Sequence, residues 1–362
     1  MDEWKRCKNI LVIRADNMGD VLMSSPAIHA LRNFTGAVIT LMTSVNGAEA
    51  AHLNPDVDQV ITVDLPWIKT DSACNGTEVS SIVELLKGYG FDGCVIFTVY
   101  SQSPLPAAMV TYMAEIPLRL AYCRENPYDL LSDWVPDPEP YTYIRHQVQR
   151  DLDLVAAIGA FTDNKRLSLI LPEESRLCAA RKLHNIGLNI DKPYLVIHPG
   201  VSELKREYPF EKWVLCIKRL QADLAMPLLL TGSAAQAAML NELEIAGGPG
   251  AYAAGGLLSL NEFAAVLKSA SVIVSVNTGT VHLAAAMQTP VVVLYAQTNP
   301  QHAPWMVPCV VLEYSIGEHL KSRNEVIKFV DQKRYATNSP LPDEFQVIEA
   351  VTRLLISNGT TH

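Results

Sequence analysis

Nine short apolar runs, each bounded by polar turns and separated by stretches of helical character, constrain this chain more than any other feature. They are Ile10 to Arg14, Ala37 to Met42, Val60 to Val63, Gly93 to Val99, Leu118 to Ala121, Leu195 to His198, Pro227 to Leu230, Val272 to Val276 and Val291 to Tyr295. Strands that are apolar without interruption are buried on both faces, as in parallel sheets covered by helices. The alternation predicts an α/β protein built of two Rossmann-like, doubly wound parallel sheets.

The two halves begin alike, which supports two sheets rather than one. NILVIRADNMGDVLMSSPAIHALR reads as a strand, a loop ending in Gly19 and a helix from about Asp20 to Arg32. YLVIHPGVSELKREYPFEKWVLCIKRL repeats that order, with Gly200 in the loop and a helix from about Pro209. The proline-rich WVPDPEP closes the first half, and a helix is expected from Tyr143 to Ile158. We expect a first domain over 1–172, a second over 173–335, and a C-terminal segment 336–362. Phe345, Ile348, Val351, Leu354 and Leu355 give that last segment an apolar helical face, expected to pack back across the domain junction. A ligand is expected between the carboxyl ends of the two sheets.

At 362 residues, 49% of them hydrophobic, the chain is long enough to bury two full cores. The balance of 29 Lys and Arg against 38 Asp and Glu leaves a net charge of −9, which disfavours a nucleic-acid partner. Seven cysteines at 7, 74, 94, 123, 178, 216 and 309 form no C-x-x-C pair, arguing against a disulfide framework or a zinc site. MDEWKRCKNILVIRAD has no long apolar stretch before Asp16, and nowhere do some 18 apolar residues run unbroken. The expectation is a monomeric cytoplasmic protein. Peripheral contact with an inner membrane stays open.

The most informative single stretch is SASVIVSVNTGTVHLAAAMQTPVVVLYAQTNP, one βαβ unit. Asn277, Thr278, Gly279 and Thr280 stand where a parallel strand hands over to a helix, the place where open α/β sheets bind ligands. Unpaired N–H groups and the positive end of the helix dipole favour an anion such as phosphate there. His282 lies in the first turn. The same residues also suit plain helix capping, and that alternative stays open.

Asp20 stands at the turn into the first helix, either as a cap or as a carboxylate acting as general base. A helix N-terminus favours the ionised carboxylate, so such a base takes its proton late, once bond formation has made the attacking hydroxyl acidic. Lys205 and Arg206 lie in a loop between strand and helix, flanked by His198 and Ser202, and form either a diphosphate clamp or a solvated surface pair. Arg14, Arg119, Arg124, Arg145, His146 and Arg150 are scattered basic residues, of which Arg145 and His146 are singled out to meet the acceptor. Surface charge is the default reading for most of these six.

Together, IRADNMGDVLMSSPAIHALR, VIHPGVSELKREYPFEKW, LLLTGSAAQ and SVNTGTVHLAAAMQTPVVVLYAQTNP resemble glycosyltransferase family 9, the heptosyltransferases of bacterial lipopolysaccharide assembly. The four segments run in the family's order from about Asn9 to Pro300. The resemblance implies a GT-B fold, with an acceptor-binding first domain and a second domain for a nucleotide sugar such as ADP-heptose. It also implies inverting transfer with no obligatory metal or cofactor. Asp20 matches the family's catalytic aspartate, and Arg206 falls where a lysine usually contacts the donor phosphates, with Lys205 able to share that role. Thr278, Gly279, Thr280 and His282 match the donor diphosphate segment, while Pro199, Gly200 and Ser202 match the loop after the first strand of the donor domain. Gly232 and Ser233 follow the next strand, and GGLLSLNEFAAVL, with Gly256 and Leu257, resembles the stretch beside base and ribose.

Three positions depart from the pattern. Asn277 replaces a common aspartate, Arg206 the usual lysine, and Gln236 stands where an acid often holds ribose hydroxyls. A donor other than ADP-heptose is compatible with these changes. A nucleotide-sugar epimerase of the same fold and a non-catalytic nucleotide-sugar-binding protein remain as other readings.

Overall fold

A computed structural model describes residues 2–68, 75–357 and 359. It divides into two compact units, Met1–Ile170 and Leu171–His362. The first contains α1 (Asp2–Arg6), β1 (Asn9–Ile13), α2 (Met18–Thr35), β2 (Val38–Thr43), α3 (Val45–His52), β3 (Gln59–Thr62), α4 (Gly76–Tyr89), β4 (Gly93–Ile96), α5 (Leu105–Met113), β5 (Leu118–Cys123), β6 (Asp133–Pro136) and α6 (Gln147–Ala156). Its strands form one parallel sheet in the order β3-β2-β1-β4-β5-β6.

The second unit contains α7 (Ser175–Asn185), β7 (Leu195–His198), α8 (Phe210–Leu224), β8 (Leu228–Gly232), α9 (Ala237–Gly247), β9 (Ala251–Gly255), α10 (Leu260–Ser269), β10 (Val272–Val276), α11 (Gly279–Ala286), β11 (Val291–Ala296), β12 (Cys309–Tyr314), α12 (Glu325–Arg334) and α13 (Glu344–Ser357). Its sheet order is β12-β11-β10-β7-β8-β9. Renumbered within the unit and viewed from the other edge, this is 3-2-1-4-5-6, the Rossmann order of the first unit. The architecture is therefore α/β, with the two Rossmann-like domains of the GT-B class. In each sheet the direction of winding reverses beside the first strand, between β1 and β4 and between β7 and β10.

Sequence and structure agree best in the sheet interiors. Leu195, Val196, Ile197, Val272, Ile273 and Val274 have no solvent exposure, because helices cover both faces. The strands missing from the sequence reading are β6, β9 and β12, and all three are edges. β12 is buried only in part along its length, β9 is built of Ala, Gly and Tyr, and β6 ends on a proline that an edge strand tolerates.

Helix α2 starts at Met18, earlier than expected, so Asn17 is its N-cap and Asp20 sits inside the first turn. Helix α6 starts only at Gln147, because the His146 side chain accepts from the Val148 N–H and caps it. Helix α13 buries Val347, Ile348, Val351, Leu354 and Leu355 in a core shared with Trp213, Ile217 and Val274, making it a layer of the second unit. Phe345, expected on that apolar face, is 56% exposed and lies under the Arg219 guanidinium, 5.0 Å from its carbon. Among the described residues no helix is long and apolar enough to cross a membrane. The described cysteines are unpaired thiols, and Cys74 lies outside the described residues.

Candidate active site

In the second unit, parallel register sets His198 at the end of β7 beside Ser275 of β10. The loops that leave these two strands therefore emerge side by side at the winding reversal. The first carries Gly200, exposed Ser202 and a single 3-10 turn, Leu204–Arg206. The second is Asn277–Thr278, leading into α11.

Arg206 joins the two loops. Its Nη1 donates to the Asn277 carbonyl at 3.2 Å and its Nη2 pairs with Glu203 at 3.1 Å. Lys205 pairs with the same Glu203 at 3.4 Å, so one carboxylate gathers both cations. The Tyr314 hydroxyl donates to the Arg206 carbonyl at 2.9 Å and fixes the main chain of the turn. Lys205 and Arg206 are partly exposed, at 30% and 22% of their side chains.

Thr278 is the N-cap of α11, yet its side chain makes no capping bond, and its Oγ1 is buried without a hydrogen-bond partner. Buried hydroxyls are normally satisfied. An uncommitted one at a helix start, next to the unpaired N–H groups of the first turn, is suited to a ligand oxygen. Gly279 follows it, Thr280 and His282 are buried within the next turn, and the His282 ring meets His302 edge-on at 5.9 Å.

Other residues of the expected donor site are committed to the protein itself. Asn277 donates from Nδ2 to the Ala296 carbonyl and to Thr298 Oγ1, both at 3.1 Å, and accepts from the Ala296 N–H at 3.1 Å. It ties the end of β10 to the end of β11. Gln236 accepts from the Ser233 N–H at 2.9 Å and donates to the Val201 carbonyl at 3.4 Å. A Cβ on Gly200 or Gly232 would lie 2.2 or 2.6 Å from Gln236 Oε1, so those two glycines make room for this side chain. Gly256, at φ +68°, would drive a Cβ into the Ala234 backbone at 2.7 Å. Leu257 offers its carbonyl to Lys182, which also pairs with Glu262. Burial pushes His198 down to about 4, so it is neutral at pH 7; its Nδ1 lies 3.0 Å from Thr231 Oγ1.

In the first unit, Asp20 accepts from Arg14 Nη2 at 2.8 Å. Arg14 is wholly buried, and its Nε faces Asp16 at 3.3 Å, so one guanidinium holds two carboxylates. Gln102 donates to Asp16 at 2.6 Å. Burial pushes the Asp16 carboxyl up, Arg14 opposes this and Asp20 adds to it, with a net rise. Behind them, Asp151 accepts from Ser24 and Gln147 at 2.7 Å each, and burial lifts it to about 6. Both site carboxylates keep 13–14% side-chain exposure, so they are reachable although their cation is not.

Arg14 was thus missed as a site residue. Its only signal was a basic residue placed directly after an apolar strand and followed by acids two and six positions on. Surface charge is also the wrong description for Arg119 and Arg150. Arg119 binds the carbonyls of Asp129 and Leu130, and Arg150 pairs with Asp137 and Glu139 in a buried cluster. Arg124 donates to the Tyr100 carbonyl. Of the two residues assigned to the acceptor, Arg145 pairs with Asp153 and Glu139 under Tyr143, and His146 caps α6.

The family model for "Glycosyltransferase family 9 (heptosyltransferase)" matches residues 81–334, more than half of the chain. Lipopolysaccharide heptosyltransferase 1 of Pseudomonas aeruginosa is 27% identical over 296 residues, 80% of this chain and 79% of that protein. Among solved structures, a family 9 glycosyltransferase from Veillonella parvula superimposes with a TM-score of 0.77 at 19% identity, covering 97% of this chain and 98% of that one. The ADP-heptose lipopolysaccharide heptosyltransferase II of E. coli gives 0.71 at 20% identity, covering 97% and 99%. Fold, sequence model and the order of the motifs agree: the chain belongs to glycosyltransferase family 9, the heptosyltransferases, and is a glycosyltransferase.

Proposed function

We propose that this protein transfers a heptose from ADP-heptose to a hydroxyl of a saccharide acceptor of the lipopolysaccharide inner-core type, at the cytoplasmic side of a membrane and with inversion. The observation that carries the donor half is the uncommitted Thr278 hydroxyl at the start of α11, one residue after the Asn277 carbonyl that Arg206 holds from the loop in which Glu203 gathers Lys205 and Arg206. A diphosphate satisfies all three groups together with the first-turn N–H groups.

In the proposed step the acceptor oxygen attacks the anomeric carbon, the bond from that carbon to the diphosphate oxygen breaks, and the acceptor proton goes to Asp20. Arg14 fixes the orientation of the Asp20 carboxylate and takes no part in bonding. The electron pair leaves with ADP, where Arg206, Lys205, Thr278 and the α11 N-terminus meet the growing negative charge. These groups supply the charge stabilisation without an obligatory metal. A single displacement inverts the configuration.

A thermal-shift comparison of ADP-, GDP-, UDP- and dTDP-sugars tests the donor assignment, because a ligand bound only by the folded protein raises Tm by mass action. ADP-heptose is expected to give the largest rise. An equal or larger rise with a sugar nucleotide of another base overturns the assignment.

A further inference from the structure

We propose that the groove between the loop after β12 and helix α12 seats the exocyclic hydroxyls of the donor's glycosyl group, with Asp331 and Lys321 telling a seven-carbon sugar from a six-carbon one. The inference rests on the transferase reading above and assigns the part of the donor that the diphosphate site does not touch. The groove lies at the carboxyl ends of β11 and β12, where Gln297 and Ser315 leave the sheet. Its inner part has a volume of about 330 Å³, within the range of small-molecule sites, and it continues past Asp331 and Tyr335 toward Lys328.

Local structure builds the walls. Ser315 Oγ donates to Gln297 Oε1 at 2.8 Å and accepts from the Ser339 N–H at 2.9 Å, which ties the segment carrying Asn338 to the ends of both strands. Asn324 caps α12 by accepting from the Val326 and Ile327 N–H groups, and buried Val330 anchors the helix. That seating brings Asp331 and Tyr335, four residues apart on one helix face, to the groove. Lys321 enters from the loop, held by Glu318. A carboxylate accepts from two hydroxyls of a diol, an ammonium donates to a third oxygen, and the Asn338 amide does either, which is a polyol-binding set.

The order of the strands gives the direction of the donor. Along β12-β11-β10-β7-β8-β9, Leu257 follows β9 at one edge, Arg206 and Thr278 stand at the middle pair, and the groove occupies the other edge. A donor laid along these ends, with its base toward Leu257 and its diphosphate at Arg206 and Thr278, runs its glycosyl group toward β11 and β12. From β10 to β12 is two strand spacings, roughly 10 Å, a span that a ring and its exocyclic carbons cover. The groove and the cation turn are also coupled directly. Tyr314, the last residue of β12, donates to the Arg206 carbonyl at 2.9 Å. Burial pushes the Asp331 carboxyl up, and Lys321 and Lys205 oppose this, so Asp331 lies within electrostatic reach of both the groove lysine and the one proposed for the diphosphate.

The test uses the full chain and three probes, namely ADP, ADP-heptose and ADP-mannose, whose sugar has the same ring but lacks the seventh carbon. Titration calorimetry at pH 7 gives each affinity. ADP-heptose is expected to bind at least about tenfold tighter than ADP-mannose, a difference of about 1.4 kcal/mol. Asp331→Asn and Lys321→Met should each bring the two sugars to within about threefold, because a site built around a hydroxyl loses its discrimination with its partner group. ADP alone should bind Lys321→Met as it binds wild type, and Asp331→Asn at least as tightly, since a negative charge near Lys205 is gone. A wild type without preference for the heptose, or a preference that both variants keep, overturns the proposal while ADP binding leaves the donor site standing. A common factor on all three probes in Asp331→Asn would make that carboxylate a tuner of Lys205 and also overturns it. Failure of ADP itself to bind wild type overturns the donor reading and this groove together.

Discussion

Arg206 donates from Nη1 to the main-chain carbonyl of Asn277, 3.2 Å away, tying the loop after β7 to the loop after β10. These loops leave neighbouring strands at the winding reversal, so a cation is fixed at the Asn277 carbonyl, directly before the Thr278 N-cap of α11. The fold thus positions the positive charge before any ligand arrives, which under the proposed transfer lowers the reorganisation needed when a leaving diphosphate gains charge.

Arg206→Ala removes one fixed donor to that charge. Turnover should fall on the order of a hundredfold or more, about 3 kcal/mol of transition-state stabilisation. Arg206→Lys keeps the charge but loses the fork that reaches both Asn277 and Glu203, and should lie between alanine and wild type. Steady-state kinetics with the preferred donor decide this. An unchanged rate in the alanine variant removes Arg206 from the leaving-group site.

Asn277→Asp keeps the size of the side chain, yet it should weaken this protein. The buried amide donates to the Ala296 carbonyl, and an aspartate has no N–H for it. Leaving that carbonyl opposite a carboxylate costs about 1–3 kcal/mol. Calorimetry should show Tm lowered by several degrees, at about 2–4 °C per kcal/mol for a unit of this size. An unchanged Tm would show that Asn277 is not the tie between β10 and β11.

Arg14→Ala leaves Asp16 and Asp20 without their shared cation, and breaking a buried pair costs about 3–5 kcal/mol. Arg14→Lys keeps the charge but cannot hold two carboxylates with one planar fork. We expect the lysine variant to fold and bind donor while transfer slows toward the roughly hundredfold loss that misplacement by about 1 Å brings. Donor-induced thermal shift and transfer rate, measured side by side, check it.

Asp151 and His198 give stability opposite dependences on pH. The folded Asp151 carboxyl titrates near 6, above its ordinary 3.8, so the folded state holds the extra proton and stability falls as pH rises from 3.8 to 6. His198 titrates near 4 instead of 6.5, so the unfolded state binds the extra proton and stability falls as pH drops from 6.5 to 4. Asp151→Asn should remove the first dependence and keep the fold, because the Ser24 hydroxyl can turn to accept from the new amide while donating to the Asp20 carbonyl. Urea denaturation at pH 4, 5, 6 and 7 checks this, and an unaltered profile in the variant would contradict it.

Legibility in the sequence followed burial and range of contact. Strands such as Val272–Val276 were readable because both faces are covered, whereas β6, β9 and β12 each have an open edge and a weaker pattern. Thr278 and Arg206 were placed correctly along the chain because strand-to-helix loops are local features. Side-chain direction was not readable. Whether Gln236 turns to a ribose or to Val201, 35 residues away, is decided by the space that Gly200 and Gly232 leave. Arg14 looked like surface charge because its partners, Asp16 and Asp20, come together only when α2 begins a turn after β1.

The most direct test of the account is Asp20→Asn, which keeps size and leaves an oxygen for Arg14 but cannot take up the acceptor proton. Wild type and variant are given ADP-heptose and a core-saccharide acceptor, with glycosylated product followed by mass spectrometry and donor binding by thermal shift. The account predicts an unchanged donor-induced shift and a loss of transfer of about 100- to 10,000-fold, the range for a missing general base. Transfer at the wild-type rate would contradict it.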